Sequence, residues 1–222
     1  MGYWALDLGT TNTGIARWNE DTQRPELVRL TDICRAPDSD EPLEAPRMIP
    51  SATEALPHNG FFERFCARPM LASRFFIGRW AHIGRPALEK NEATQKESYA
   101  PLFKSYLGKE PLRTLAKLEG LPLSARDITR RFLRELLYSV HHATGERLRE
   151  LVVTTPVDAY ETYRAEVSQI ARGLGVKRVR FIDEPVAAAL GYGISLGRDR
   201  NVLVVDFGGG TLDIALVTLT AK

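Results

Sequence analysis

The sequence predicts an α/β fold, and three observations carry that expectation. From Ser124 onward, apolar strand-like runs alternate with segments of helical period. Two short Gly-rich turns, one near each end of the 222 residues, each follow an apolar strand. Between them lies a proline-rich stretch of poor periodicity that reads as an insertion carried by the main sheet.

Residues Tyr3 to Leu8 are apolar and run into Gly9-Thr10-Thr11-Asn12, a turn signal, then Ile15-Ala16-Arg17-Trp18. That pattern is strand, tight turn, strand, and Glu26 to Leu30 reads as a third strand. From about Cys34 to Pro122 the character changes, with nine of the 13 prolines between Pro37 and Pro111. Short strands and helices among loops are expected there. Order returns at Ser124-Ala125-Arg126-Asp127, a helix-opening capping box with Asp in place of the usual Glu or Gln. Ile128, Phe132, Leu136 and Val140, widened by Leu133 and Leu137, predict an amphipathic helix to about Leu148. Leu151 to Thr154 then reads as a buried strand, Ala159 to Arg172 as a helix and Val179 to Ile182 as a strand. Gly173-Leu174-Gly175 marks the end of that helix, where glycine adopts the left-handed conformation. Pro185 to Leu190 begins another helix. Asn201 to Asp206 reads as a strand and Thr211 to Thr218 as its hairpin partner.

Composition narrows the function classes. The hydrophobic share of 44% suits a sizeable core, and the net charge is only +2. Lys and Arg are scattered, so neither a nucleic-acid groove nor a membrane patch is expected. Even Lys177 to Arg180 reads as a solvated strand entry. Cys34 and Cys66 have no paired or metal-like spacing, which suits a reducing compartment. No apolar run has the length of a membrane span, and Asp7 interrupts the N-terminal apolar stretch as no signal peptide would. A cytoplasmic protein is expected. The neighbours His141 and His142 point apart on a helix and make no metal pair.

The two turns repeat each other. Laid on one another, Asp7 to Ala16 and Asp206 to Ala215 agree in Asp, Gly, Ile and Ala at the first, third, ninth and tenth places. Small residues at such a turn let backbone N–H groups approach an anion, and amides in that arrangement suit phosphate oxygens. The leading Asp stands at a strand end, where its carboxylate can hold a hydrated Mg²⁺. Two such hairpins argue for ATP bound between them. Competing nucleotide signatures fail: no G-x-x-x-x-G-K-[ST] run occurs, and Gly173-Leu174-Gly175 follows a helix and has Arg178 where a dinucleotide fingerprint needs its third Gly.

Asp7-Leu8-Gly9-Thr10-Thr11-Asn12, Glu184 to Gly193 and Val205 to Asp213 resemble three signatures of the actin-like ATPase superfamily: first phosphate loop, connecting helix and second phosphate loop. Within it the chain resembles the 70-kilodalton heat-shock (DnaK-like) chaperones, in the N-terminal part of their nucleotide-binding domain. Phe103-Lys104-Ser105-Tyr106-Leu107-Gly108 is similar to the segment bearing the family's catalytic lysine. Pro156 and Arg164 resemble the pair that passes nucleotide state to the substrate-binding domain.

The resemblance implies an actin-like (ribonuclease-H-like) mixed sheet flanked by helices. Residues 1–34 and 123–197 would form a first core subdomain (IA-like), 35–122 an inserted α+β subdomain (IB-like) and 198–222 the start of a second lobe (IIA-like). It implies a stress-response chaperone that hydrolyses ATP to ADP with Mg²⁺, K⁺ being an optional companion. Gly9, Thr10, Thr11 and Asn12 would hold phosphates with Gly208, Gly209, Gly210 and Thr211. Asp7 and Asp206 would position Mg²⁺ through its waters, with Asp213 in the cation network. Lys104, Glu184 and Thr211 would place the attacking water and steady the terminal phosphate. The partners implied for a full-length parent are unfolded peptides, a J-domain co-chaperone and a nucleotide exchange factor.

Two departures stand out. Asp183 replaces the family's usual Asn and adds negative charge near the phosphates, and Val157-Asp158-Ala159-Tyr160 lacks the usual aromatics. The family's adenosine-binding segment and peptide-binding domain would follow Lys222. The chain is therefore expected to behave as a fragment of a parent ATPase, with weak or absent ATP binding and hydrolysis alone. Glu184 also has a plainer role available, favouring a helix dipole. Other readings are a filament-forming bacterial actin, which the insertion holding Lys104 argues against, a sugar kinase, for which no carboxylate base stands out, and a catalytically incompetent interaction fragment.

Overall fold

Trp4, Leu6 and Leu8 alternate with Ala5 and Asp7, and that alternation makes strand β1 (Trp4–Leu8), buried on one face. The computed structural model describes residues 3–57, 78–157, 161–191, 199–208 and 212–220. In chain order β1 is followed by β2 (Asn12–Asn19), β3 (Arg24–Leu27), β4 (Ile49–Pro50), β5 (Ala52–Ala55) and β6 (Ala81–Ile83). Helix α1 (Arg85–Ala93), β7 (Tyr99–Pro101), a 3-10 turn (Phe103–Tyr106), β8 (Thr114–Leu118) and β9 (Leu121–Ser124) come next. The rest alternates: α2 (Ala125–Thr144), β10 (Glu150–Thr155), α3 (Glu161–Gly173), β11 (Arg178–Asp183), α4 (Glu184–Gly191), then β12 (Arg200–Phe207) and β13 (Leu212–Leu219).

The main sheet is mixed, in the order β11-β10-β1-β2-β3 with β4 also beside β2. Its β1, β10 and β11 run parallel, and β2 is antiparallel to β1. One face, through Trp4, Leu6, Leu8, Leu151 and Val153, joins a single core with Ile128, Phe132, Leu133 and Leu136 of α2 and Val167 and Ile170 of α3. On the other face Ala5 and Asp7 are exposed. Helix α2 begins with the expected capping box: the Ser124 backbone N–H donates to the Asp127 carboxylate, and the Asp127 N–H returns to the Ser124 hydroxyl. It ends earlier than expected, because Gly145 takes a left-handed φ of 72° and its N–H closes on the His141 carbonyl.

The middle of the chain holds short strands and a helix among loops, as expected. Strands β6-β5-β7 form an antiparallel sheet, and β8 pairs with β9 as a hairpin. The prolines sit where a missing N–H costs little: Pro50 and Pro101 end strands, and Pro86 lies in the first turn of α1. Trp80 ties this region to α2. Its backbone N–H donates to Glu135 Oε1 at 2.9 Å, and the Arg134 guanidinium carbon stands 4.3 Å from its ring centroid. The expected strand Glu26 to Leu30 is found as β3 instead, since Val28 leaves the pairing while donating to the Ile15 carbonyl.

Strands β12 and β13 form a separate two-stranded sheet. Val217 and Leu219 face Ala189 and Val186 of α4, with Val202 and Val204 beside them. The other face carries Leu203, Leu216, Val205, Ile214, Phe207 and Leu212 in register pairs, all exposed.

Candidate functional site

The parallel strands place their carboxyl ends together, where open α/β sheets hold ligands. Asp7 stands at the end of β1, Thr154 and Thr155 at the end of β10, Asp183 at the end of β11, and Glu184 opens α4. Because Leu6 is registered on Val153, the next pair along brings the Thr154 hydroxyl to Asp7, and it donates to Oδ1 at 2.7 Å. That bond orients the exposed carboxylate from below.

The two hairpins correspond position for position. Asp7 pairs with Gly14 and Leu8 with Thr13 around Gly9–Asn12, while Asp206 pairs with Asp213 and Phe207 with Leu212 around Gly208 and its successors. Glycine is required at the first turn, because a Cβ on Gly9 would lie 2.0 Å from the Asn12 carbonyl oxygen. Ser51 braces the turn: its hydroxyl donates to the Gly9 carbonyl at 2.7 Å and its N–H to the Thr11 carbonyl at 2.8 Å. The Thr13 hydroxyl lies 2.9 Å from that of Ser51. Arg35 donates to Asn12 Oδ1 at 2.9 and 3.3 Å, which adds positive charge at the rim of the turn. Thr11 Oγ1 is buried and has no hydrogen-bond partner among the described residues. A braced turn with an orphaned hydroxyl and a cation at its rim fits a phosphate.

Lys104 reaches the same place from the 3-10 turn. Leu102 enters that turn at φ 55°, and Phe103 is wholly buried against Phe132 of α2, ring centroids 5.1 Å apart. The anchored turn delivers Lys104 Nζ to Glu184 Oε1 at 2.6 Å, with side chains only 8% and 20% exposed. Burial pushes the Glu184 carboxyl above its ordinary range, and the Lys104 charge and hydrogen bond pull it back. Asp7 and Asp206 push it further up, which places the leading aspartates of both hairpins within electrostatic reach of one carboxylate. The pairing with Lys104 gives Glu184 more than a helix-dipole role.

Asp183 carries its negative charge as half of an ion pair. Its carboxylate does not stand as bare charge near the turns: Arg164 donates to Oδ1 at 2.7 Å and Thr155 at 3.4 Å. Gly209, Gly210 and Thr211 lie outside the described residues, as does the side chain of Asp213. Among the described residues no three His, Cys, Asp or Glu side chains converge as a direct metal cage. Two exposed aspartates suit Mg²⁺ that keeps most of its water and shares phosphate oxygens. Sequence reasoning missed Thr154, Ser51 and Arg35. All act across long sequence separations, and only the hydroxyls of Thr154 and Thr155 at a strand end left a visible signal.

Comparison with known proteins decides the lineage. The family model described as Hsp70 protein matches residues 81–221. The chain belongs to the Hsp70 family. Its curated Hsp70 relatives include a chaperone protein DnaK of Deinococcus proteolyticus, 28% identical over 221 residues, covering 96% of this chain and 31% of that protein. A DnaK of Cyanidioschyzon merolae is 26% identical over 218 residues, covering 96% of this chain and 33% of that protein. A heat shock cognate HSP70 protein of Trypanosoma brucei brucei is 34% identical over 105 residues, 46% of this chain and 16% of that protein. The chain thus spans at most about a third of the length of these Hsp70 relatives. Its mixed sheet with helices is consistent with an Hsp70 ATPase-type fold. No helix among the described residues is long and apolar enough to cross a membrane.

Proposed function

We propose that this chain holds the phosphate end of the ATP-binding and ATP-hydrolysing site of an Hsp70 chaperone, with residues 35–122 as a subdomain inserted into the first core subdomain. The observation that carries the reading is the buried Lys104–Glu184 pair, on which the charges of Asp7 and Asp206 converge from two matching hairpins. Positioning and charge stabilisation are what phosphoryl transfer needs from a protein, and these residues supply both.

Gly9 to Asn12 and Gly208 to Thr211 would receive the phosphates. The Thr11 hydroxyl, orphaned without a ligand, gains an acceptor there. Asp7, held by Thr154, and Asp206 would hold Mg²⁺ through its waters, and Asp213 and K⁺ belong to the same proposal. The ion supplies neutralisation of the phosphate charge when bound. Glu184, with its basicity raised by burial and restrained by Lys104, is suited to orient a water against the terminal phosphate. Lys104 would direct its charge at the oxygen on which negative charge builds. Peptide binding, and regulation by a J-domain co-chaperone and a nucleotide exchange factor, are proposed for a full-length protein of this family in the cytoplasm.

Every group named here addresses phosphate or its metal, so affinity is expected in the millimolar range, and similar for Mg·ATP and Mg·tripolyphosphate. Isothermal calorimetry tests this. Weak Mg²⁺-dependent binding of both, abolished in Lys104→Met, is the expected result. No heat with either ligand, or binding unchanged in Lys104→Met, would overturn the reading.

A further inference from the structure

Tyr163 has a polar group that nothing described so far uses. It is the third residue of α3, is 6% exposed and belongs to the main core. Its ring packing needs no hydroxyl. Yet the hydroxyl is buried and has no hydrogen-bond partner among the described residues. A buried donor left unmade costs free energy, and such groups in native folds commonly await a water or a ligand.

The start of α3 is pressed onto the turn that carries Lys104. Gly108 has φ +75°, and a Cβ there would lie 2.8 Å from the Tyr163 backbone nitrogen. The Thr162 hydroxyl donates to the Gly108 carbonyl at 3.0 Å and locks the two segments together. Burial raises the Tyr163 phenol above its ordinary range, and the carboxylates that raise it further are Glu184 and Asp7. The hydroxyl therefore keeps its proton at neutral pH and remains a donor, and the charges that act on it belong to two acids of the candidate site. Serving only as core would make phenylalanine the better residue here.

We infer that the Tyr163 hydroxyl is a further ligand-binding group of this site, donating a hydrogen bond to an oxygen of the bound polyphosphate. The inference rests on the phosphate reading of the site. It makes Tyr163 a residue whose polar atom is unsatisfied without ligand and satisfied with it. Removing that atom therefore has opposite signs in the two states.

The test is thermal unfolding of the whole chain and of Tyr163→Phe, each titrated with Mg·tripolyphosphate. Without ligand, Tyr163→Phe should unfold at an unchanged or higher temperature, since an unpartnered donor is gone. With ligand, its affinity should fall about tenfold, the scale of one hydrogen bond to a charged acceptor. An affinity within twofold of wild type would overturn the assignment. So would a lower ligand-free unfolding temperature, whatever the affinity, because it gives the hydroxyl to the protein's own packing. A wild-type chain with no ligand-induced shift would instead overturn the phosphate reading itself, and the inference with it.

Discussion

Glu184 is a carboxylate largely removed from water, and Lys104 makes that state tolerable. Burial raises its pKa above the ordinary 4.5, and the lysine opposes the rise. A raised carboxyl contributes stability below its unfolded value and loses it as pH climbs through the folded one. In Lys104→Met the opposing charge is gone, so the loss deepens. Urea unfolding should show the gap between wild type and Lys104→Met widening from about pH 4 to pH 7, reaching roughly 2–4 kcal/mol for a pair that is mostly buried. A gap independent of pH would show that the lysine acts only through packing. The Arg164–Asp183 pair is different in kind, since both side chains are 41% exposed. Asp183→Asn, measured the same way, should change stability by about 1 kcal/mol or less. At Gly9 the constraint is steric. Gly9→Ala must move the turn away from the Asn12 carbonyl, and an expected cost of roughly 1–3 kcal/mol should come with loss of Mg·tripolyphosphate binding.

Helix α2 shows what makes an element legible. Its start is written in Ser124 and Asp127, three residues apart, and its buried face in Ile128, Phe132, Leu136 and Val140. All of that is local. Ser124→Ala should therefore cost about 1 kcal/mol of stability through the lost cap, read by chemical unfolding. The two hairpins were legible for the same reason, as repeated short patterns with a shared register. The order of the main sheet was not, because β1 finds β10 across most of the chain. Nor was the bond from Thr154 to Asp7, nor the brace that Ser51 gives to Gly9 and Thr11. Lys104 could be named from its motif, but its pairing with Glu184 depends on Phe103 packing against Phe132. In the middle of the chain poor periodicity gave short strands and helices without their bounds, and prolines mark the ends of two of the strands.

At the scale of the whole molecule the two hairpins are mounted differently. The first grows from the main sheet and its core, whereas the β12–β13 pair rests one face on α4 and turns six large apolar side chains to solvent. Phe207 is 84% exposed and Ile214 65%. A patch of this kind binds apolar dyes. The doubly substituted chain Phe207→Ser, Ile214→Thr should lose most anilinonaphthalene sulfonate fluorescence while keeping its unfolding temperature within a few degrees. The central claim is that both hairpins grip one polyphosphate. It is tested most directly by phosphorus-31 NMR of Mg·ATP titrated with the wild-type chain, Asp7→Asn and Asp206→Asn. The account predicts a terminal-phosphate shift in the wild type that weakens sharply in each variant. A shift that survives intact in either variant would show that only one hairpin touches the ligand, and would contradict it.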